Sequence, residues 1–155
     1  MSPTAKAKKP LKSASSLEQE AYLSLLRTAD ALARGAEEVI KPFGLSGTQY
    51  NILRILRGAG PNGLCCHEAA ERMLTHDPDI TRLLDRLQKR GLIARARESE
   101  DRRIITARIA REGLRILAKL DGPIAEFHRR QWGRLGKRRL RLLLGLLSAA
   151  RVTPA

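Results

Sequence analysis

Aromatic residues are scarce in this 155-residue chain: two Phe, two Tyr and one Trp, 3% of the whole. Proteins that grip single-stranded bases stack them on aromatic rings, so that mode of binding is disfavoured. Cysteine is nearly absent as well. The only two, Cys65 and Cys66, are neighbours and cannot staple distant segments. A reducing, cytoplasmic setting is therefore expected. Long apolar runs are missing too. A helix that crosses a bilayer needs ~20 apolar residues, and the most apolar stretch, Leu140–Leu147, is broken by Arg141 and Gly145. No membrane partner is expected. Residues 1–16 carry lysines but no apolar core of the kind that marks a secretory signal.

Acidic residues are the last shortage. Asp and Glu total 16 against 30 Lys and Arg, a formal net charge of +14. Such an excess repels itself unless an anionic partner compensates it, and the usual partners are nucleic acid or an anionic surface. The charge is unevenly spread. Residues 1–16 hold four lysines and no acid, residues 17–41 are net −2, and residues 111–155 are net +8. Hydrophobic residues make up 43%, enough to build a core. The length suits one compact domain.

Residues 1–15, rich in Lys, Ala, Ser and Pro, read as a disordered basic tail. Helix signals begin at Ser16, with Gln19 three residues on as in a capping box. Leu25, Leu32 and Val39 then recur every seven residues until Pro42 and Gly44 stop the helix. Ser46 and Gln49 form a second box, with Leu45 and Tyr50 placed as a hydrophobic staple. Leu53 and Leu56 continue that face up to Gly58, Gly60 and Pro61. A short helix is expected from about Cys66 to Met73.

A further helix is predicted to start at Asp77 as N-cap, with Pro78 at N1 and Asp79 in the first turn. Ile80, Leu83, Leu84 and Leu87 form its inward stripe, and Gly91 is placed to end it. Thr81, Arg82, Asp85, Arg86 and Lys89 are left on its outer face. The period then changes to two. Leu92–Arg97 and Ile104–Ile109 read as a β-hairpin whose tip is Glu98–Arg103. Two more helices follow. In the first, Leu114, Leu117, Leu120, Ile124 and Phe127 form the stripe and Gly122-Pro123 predicts a kink. The second, after Gly133 and Gly136, carries Leu140, Leu143, Leu144 and Leu147.

Two short helices joined by a turn, followed by a hairpin, make a helix-turn-helix with a wing. Its second helix would present residues to the major groove of DNA. Thr81 and Arg82, near that helix's start, are placed for base edges, and Arg86 and Lys89 for phosphates. The same side chains also suit an ordinary solvated face with i,i+3 and i,i+4 pairs.

The stretch DITRLLDRLQKRGLIARARESEDRRIITARI resembles the recognition helix and wing of the MarR family of bacterial transcription regulators. LSGTQYNILRIL resembles that family's second helix, and AREGLRIL the opening of its long fifth helix. The resemblance covers about residues 20–150. It implies a mainly α, winged helix-turn-helix fold with a two-stranded wing and terminal helices that form a dimerisation region. In this division residues 16–150 are one unit, with 16–44 and 111–150 as dimerisation helices and 45–110 as the DNA-binding lobe. By resemblance Asp101 and Arg103 match the family's wing D-x-R: in this wing contact of Asp101, Arg102 and Arg103 with DNA, the acid would hold an arginine in place and a tip arginine would enter the minor groove, where groove width gives shape readout. The resemblance also implies a homodimer on an inverted-repeat operator in double-stranded DNA, acting as a repressor released by a small aromatic or anionic effector. The chain departs from the family pattern at Ala110, where a Thr cap is common, at Ala69, where a larger aliphatic is usual, and in the unusually basic run from Arg129 to Arg141.

Cys65-Cys66-His67 suggests three sharper chemistries. A thiol switch needs an accessible thiolate, a metal site needs separated ligands, and a Cys–His nucleophile needs a cleft and an orienting partner. Adjacent cysteines suit chelation poorly, and two small residues at a helix start explain the pair. No enzyme activity, metal or cofactor is expected. The rival to a sequence-specific regulator is a cationic protein that coats nucleic acid without sequence choice, which the basic tail and C-terminal third favour.

Overall fold

The computed structural model describes residues 16–75, 79–97 and 104–151. The basic tail, the expected cap Asp77-Pro78 and the wing-tip residues Asp101, Arg102 and Arg103 lie outside them. The elements are α1 (Leu17–Ile40), α2 (Gly47–Ala59), β1 (Leu64–Cys65), α3 (Cys66–Glu71), α4 (Ile80–Lys89), β2 (Ile93–Arg97), β3 (Ile105–Ile109), α5 (Arg111–Trp132) and α6 (Gly136–Ala150). This is the mainly helical winged architecture expected from the sequence.

The chain divides into two compact units, Met1–Ala33 and Arg34–Ala155. In the first, Ser16 opens α1, and its Oγ accepts the Gln19 N–H at 3.2 Å. Leu17, Tyr22, Leu25 and Leu26 along this part of the helix are exposed.

The second unit holds the core. Ile52, Leu53 and Leu56 of α2, Leu84 and Leu87 of α4, and Leu117 and Leu120 of α5 are fully buried. They converge because each helix repeats its apolar residues at three- and four-residue intervals. The second capping box forms as the sequence predicts: Ser46 Oγ accepts from Gln49 N–H at 3.2 Å, and Gln49 Oε1 accepts from Ser46 N–H at 3.1 Å. Glu37 Oε2 accepts the Gly47 N–H at 2.6 Å, which sets an anion at the positive end of α2.

The sheet differs from expectation by one strand. Its order is β1-β3-β2, all antiparallel, with Leu64 opposite Ala107 and Ile93 opposite Ile109. β1 is two residues long and therefore carries no readable period. Gly63 (φ +69°) leads into it, and a side chain there would meet the Ala107 carbonyl oxygen.

Two helix features differ from expectation. α3 ends at Glu71 rather than near Met73. α5 runs as one helix from Arg111 to Trp132 with Pro123 inside it. Leu114, expected on the inward stripe of α5, is exposed, because the buried turn at that level uses Gly113. A side chain at Gly113 would run into the Leu92 carbonyl.

Candidate nucleic-acid interface

α4 starts two residues later than its sequence suggested. Asp79, expected inside the first turn, is the N-cap, and its Oδ1 accepts the Arg82 N–H at 3.2 Å. Asp79 competes well for this role because its carboxylate reaches the third amide of the helix, where a positive end and an unpaired donor coincide. At the other end the expected stop holds. Gly91 (φ +68°) donates to Gln88 O at 2.9 Å, and Leu92 donates to Leu87 O at 3.0 Å. That pair of bonds is a Schellman cap, which needs a left-handed residue.

Between these ends the helix is two-faced. Leu83, Leu84 and Leu87 are buried, and burial of each stabilises the fold by roughly 1.5–3 kcal/mol. Thr81, Arg82, Arg86 and Lys89 are all exposed. Arg82, Arg86 and Lys89 follow at intervals of four and three, so they share one side of the helix. From Arg82 to Lys89 the axial rise is about 10 Å, close to the ~12 Å width of a B-DNA major groove. Arg82 Nε also pairs with Asp79 Oδ2 at 3.1 Å, an exposed contact. A pair of this kind contributes at most about 1 kcal/mol, so it positions the guanidinium without locking it.

Asp85, which the sequence placed among the outward residues, is turned to a structural task. The Arg95 guanidinium of β2 bonds Asp85 Oδ1 through Nη2 and Gln88 Oε1 through Nε at 2.7 Å. The first strand of the wing is thereby clamped to the exposed side of α4. Strand alternation placed Arg95 on a face, but nothing local in sequence names its partners ten and seven residues away. Asn51 was also missed. This buried side chain of α2 accepts the Leu74 N–H at 3.0 Å and ties the turn before α4 to the core.

Behind this surface, Arg57 of α2 holds Asp121 of α5 with two bonds of 3.0 Å each. The Asp121 carboxylate raises the Arg57 pKa above its ordinary value. Arg90 Nη1 reaches Gln49 Oε1 at 3.3 Å, joining the end of α4 to the cap of α2. At the start of α3, Glu68 Oε2 accepts the Cys65 N–H at 2.9 Å. That bond, with the Cys65 side chain, holds the Glu68 pKa below the ordinary carboxylate value. Cys65 and Cys66 are free thiols, both half-buried. Among the described residues no cluster of three His, Cys, Asp or Glu side chains is arranged for a metal ion, and no helix is long and apolar enough to cross a membrane.

A second feature lies between α5 and α6. A groove of about 550 Å³ is lined by Leu140, Leu143, Leu144 and Leu147 on one side and by His128, Arg129 and Trp132 on the other. Leu142, Leu144 and Leu146 are strongly exposed.

Residues 43–104 match the model of the MarR family. A MarR transcription factor of known structure from Planctomyces limnophilus is 42% identical, with 87% of this chain and 98% of that chain covered and a TM-score of 0.66. The HTH-type transcriptional repressor MdtR of Bacillus subtilis is 32% identical over 103 residues, 66% of this chain and 65% of its own length. CouR from Rhodococcus jostii RHA1, solved with p-coumaroyl-CoA bound, shares the fold with a TM-score of 0.75 over 92% of this chain at 22% identity. The chain belongs to the MarR family of transcriptional regulators. In this fold α3, α4 and the β2–β3 hairpin make up the winged helix-turn-helix.

Proposed function

We propose that this protein is a homodimeric, sequence-specific repressor that binds an inverted-repeat operator in duplex DNA and releases it on binding a small effector. The observation that carries the reading is the division of α4 into a buried leucine face and an exposed face bearing Thr81, Arg82, Arg86 and Lys89. In this reading Thr81 and Arg82, at the helix start, meet base edges in the major groove, and Arg86 and Lys89 neutralise phosphates. In the wing, Asp101 would hold an arginine in place while an arginine of the tip, Arg102 or Arg103, extends the contact to the adjacent minor groove. Arg82 leaves Asp79 readily, since a bidentate pair with guanine contributes about 1–3 kcal/mol of discrimination against at most about 1 kcal/mol for the exposed ion pair.

The uncovered leucines of α6 and of the first half of α1 support a second copy as their cover. Exposed apolar area of this kind marks an interaction surface. The repressor name of MdtR and the p-coumaroyl-CoA bound to CouR support repression and an aromatic or anionic effector. The protein acts where the DNA is, in the cytoplasm.

Binding to an operator selected from genomic fragments, compared with a scrambled duplex by gel shift, tests the reading. Arg82→Ala is expected to cost ~1–3 kcal/mol on the operator and little on the scrambled duplex. Arg86→Ala should weaken both alike. Equal losses for Arg82→Ala on both duplexes would remove Arg82 from base recognition.

A further inference from the structure

The charge excess of the chain is not centred on α4, where Asp79 and Asp85 offset the arginines. It peaks at the turn from α5 to α6. No acid follows Glu126 in the sequence, while Arg134, Lys137, Arg138, Arg139 and Arg141 crowd into eight residues. All five are exposed, and none has an ion-pair or hydrogen-bond partner among the described residues. Arg129 and Arg130 just before them do have one, since both pair with Glu126.

This arrangement is unfavourable within the chain. Lys137 and Arg141, and Arg138 and Arg141, are like charges at helical spacings that destabilise a helix. The first turn of α6 contains no acid and has no side-chain cap, so the cations also sit at the positive end of the helix dipole. A bound polyanion relieves both terms.

The composition and shape indicate which polyanion. Four of the five are arginines, whose planar fork engages phosphate oxygens in pairs. Runs of five to eight Lys- and Arg-rich residues are a signature of nucleic-acid patches. Along about 9 Å of axis, the length of six helical residues, duplex DNA presents about five phosphates. A membrane surface fits less well. A helix lying on lipid needs cations and apolar residues on opposite faces along its length. In α6 the cations end at Arg141 and the apolar residues follow, so the two kinds separate along the axis. The leucines are themselves split between the groove and the exposed positions Leu142 and Leu146.

We propose that Arg134–Arg141 is a second duplex-binding surface, read through phosphates alone and separate from α4, which engages either the flank of the bound operator or another duplex. The proposal rests on the DNA-binding reading only in that duplex DNA is the partner at hand. In a two-fold dimer the patch occurs twice, so one molecule would bridge two DNA segments.

The test uses the full chain and a variant, R134Q/K137Q/R138Q/R139Q/R141Q, with R138E/R139E as a second variant. Circular dichroism and sizing report folding and assembly for both. Salt dependence of binding is measured on a duplex limited to the selected site and on one extended by several helical turns. Capture of a labelled unrelated duplex by protein already bound to immobilised site DNA is the second readout. On the site-limited duplex the Gln variant should match the wild type. If the patch meets the flank, the wild-type salt slope on the extended duplex should exceed the variant's by about 4.5 for each patch engaged, near 0.9 for each of five phosphates lost. If it meets another duplex, only the wild type should capture the labelled DNA. Equal slopes together with equal capture overturn the proposal. Binding to phosphatidylglycerol vesicles that the variants lose, with no difference on DNA, overturns it in favour of a membrane contact. Failure of the α4 reading looks different: the wild type would then not distinguish the selected site from a scrambled one.

Discussion

Replacing Arg95 by Met keeps most of the aliphatic stem and removes the guanidinium that joins β2 to α4. The side chain is largely covered, with 18% exposed, while Asp85 is 41% exposed. A hydrogen bond to a charged partner contributes about 1.5–3 kcal/mol when well shielded. Solvent around Asp85 screens the pair, so about 1–2 kcal/mol is the appropriate figure. The neutral bond to Gln88 at 2.7 Å lies at an exposed site and adds about 0.5 kcal/mol. A loss of about 2 kcal/mol corresponds to a fall in Tm of roughly 4–8 °C for a chain of this size. Calorimetry and urea titration check that magnitude, but the decisive measurement is a double-mutant cycle. Arg95→Met, Asp85→Asn and the pair together should show a coupling of at least about 1 kcal/mol, as residues in direct contact do. Simple additivity would refute the clamp. So would an Arg95→Met protein with unchanged Tm, because the wing would then hold its place on α4 without that bridge.

Two further outcomes are expected. Asn51→Leu should lower stability by ~1–2 kcal/mol in urea denaturation, since the Leu74 N–H loses its acceptor inside the turn before α4. The Glu68 carboxylate, held below its ordinary value by the Cys65 N–H, contributes stability that is complete above the unfolded carboxylate value near 4.3 and is lost as the pH falls through the lower folded value. The stability gap between wild type and Glu68→Gln should therefore close below about pH 4, and a gap independent of pH would contradict that origin.

What could be read from residue order was whatever depends on neighbours a few positions apart. The Ser46/Gln49 box, the Leu83/Leu84/Leu87 stripe, the Gly91 stop and the pairing of β2 with β3 as a hairpin are all of this kind, and all are present. The order of elements together with the resemblance to a known family was enough to name the class of protein. Competition between two nearby candidates was harder. Asp77 and Asp79 both satisfy the preferences of an N-cap, and residue order alone does not say that Asp79 takes the role. The long-range pairings were out of reach: β1 against β3, Arg57 with Asp121, Asn51 with Leu74, and Arg95 with Asp85. Each joins groups that are separate along the chain and come within bonding distance only after the leucines have packed. Local signals therefore decided which segments are helix or strand and which faces are greasy. Packing in three dimensions decided which of the outward charges are spent holding α4 in place and which, like Arg82, Arg86 and Lys89, remain presented to solvent.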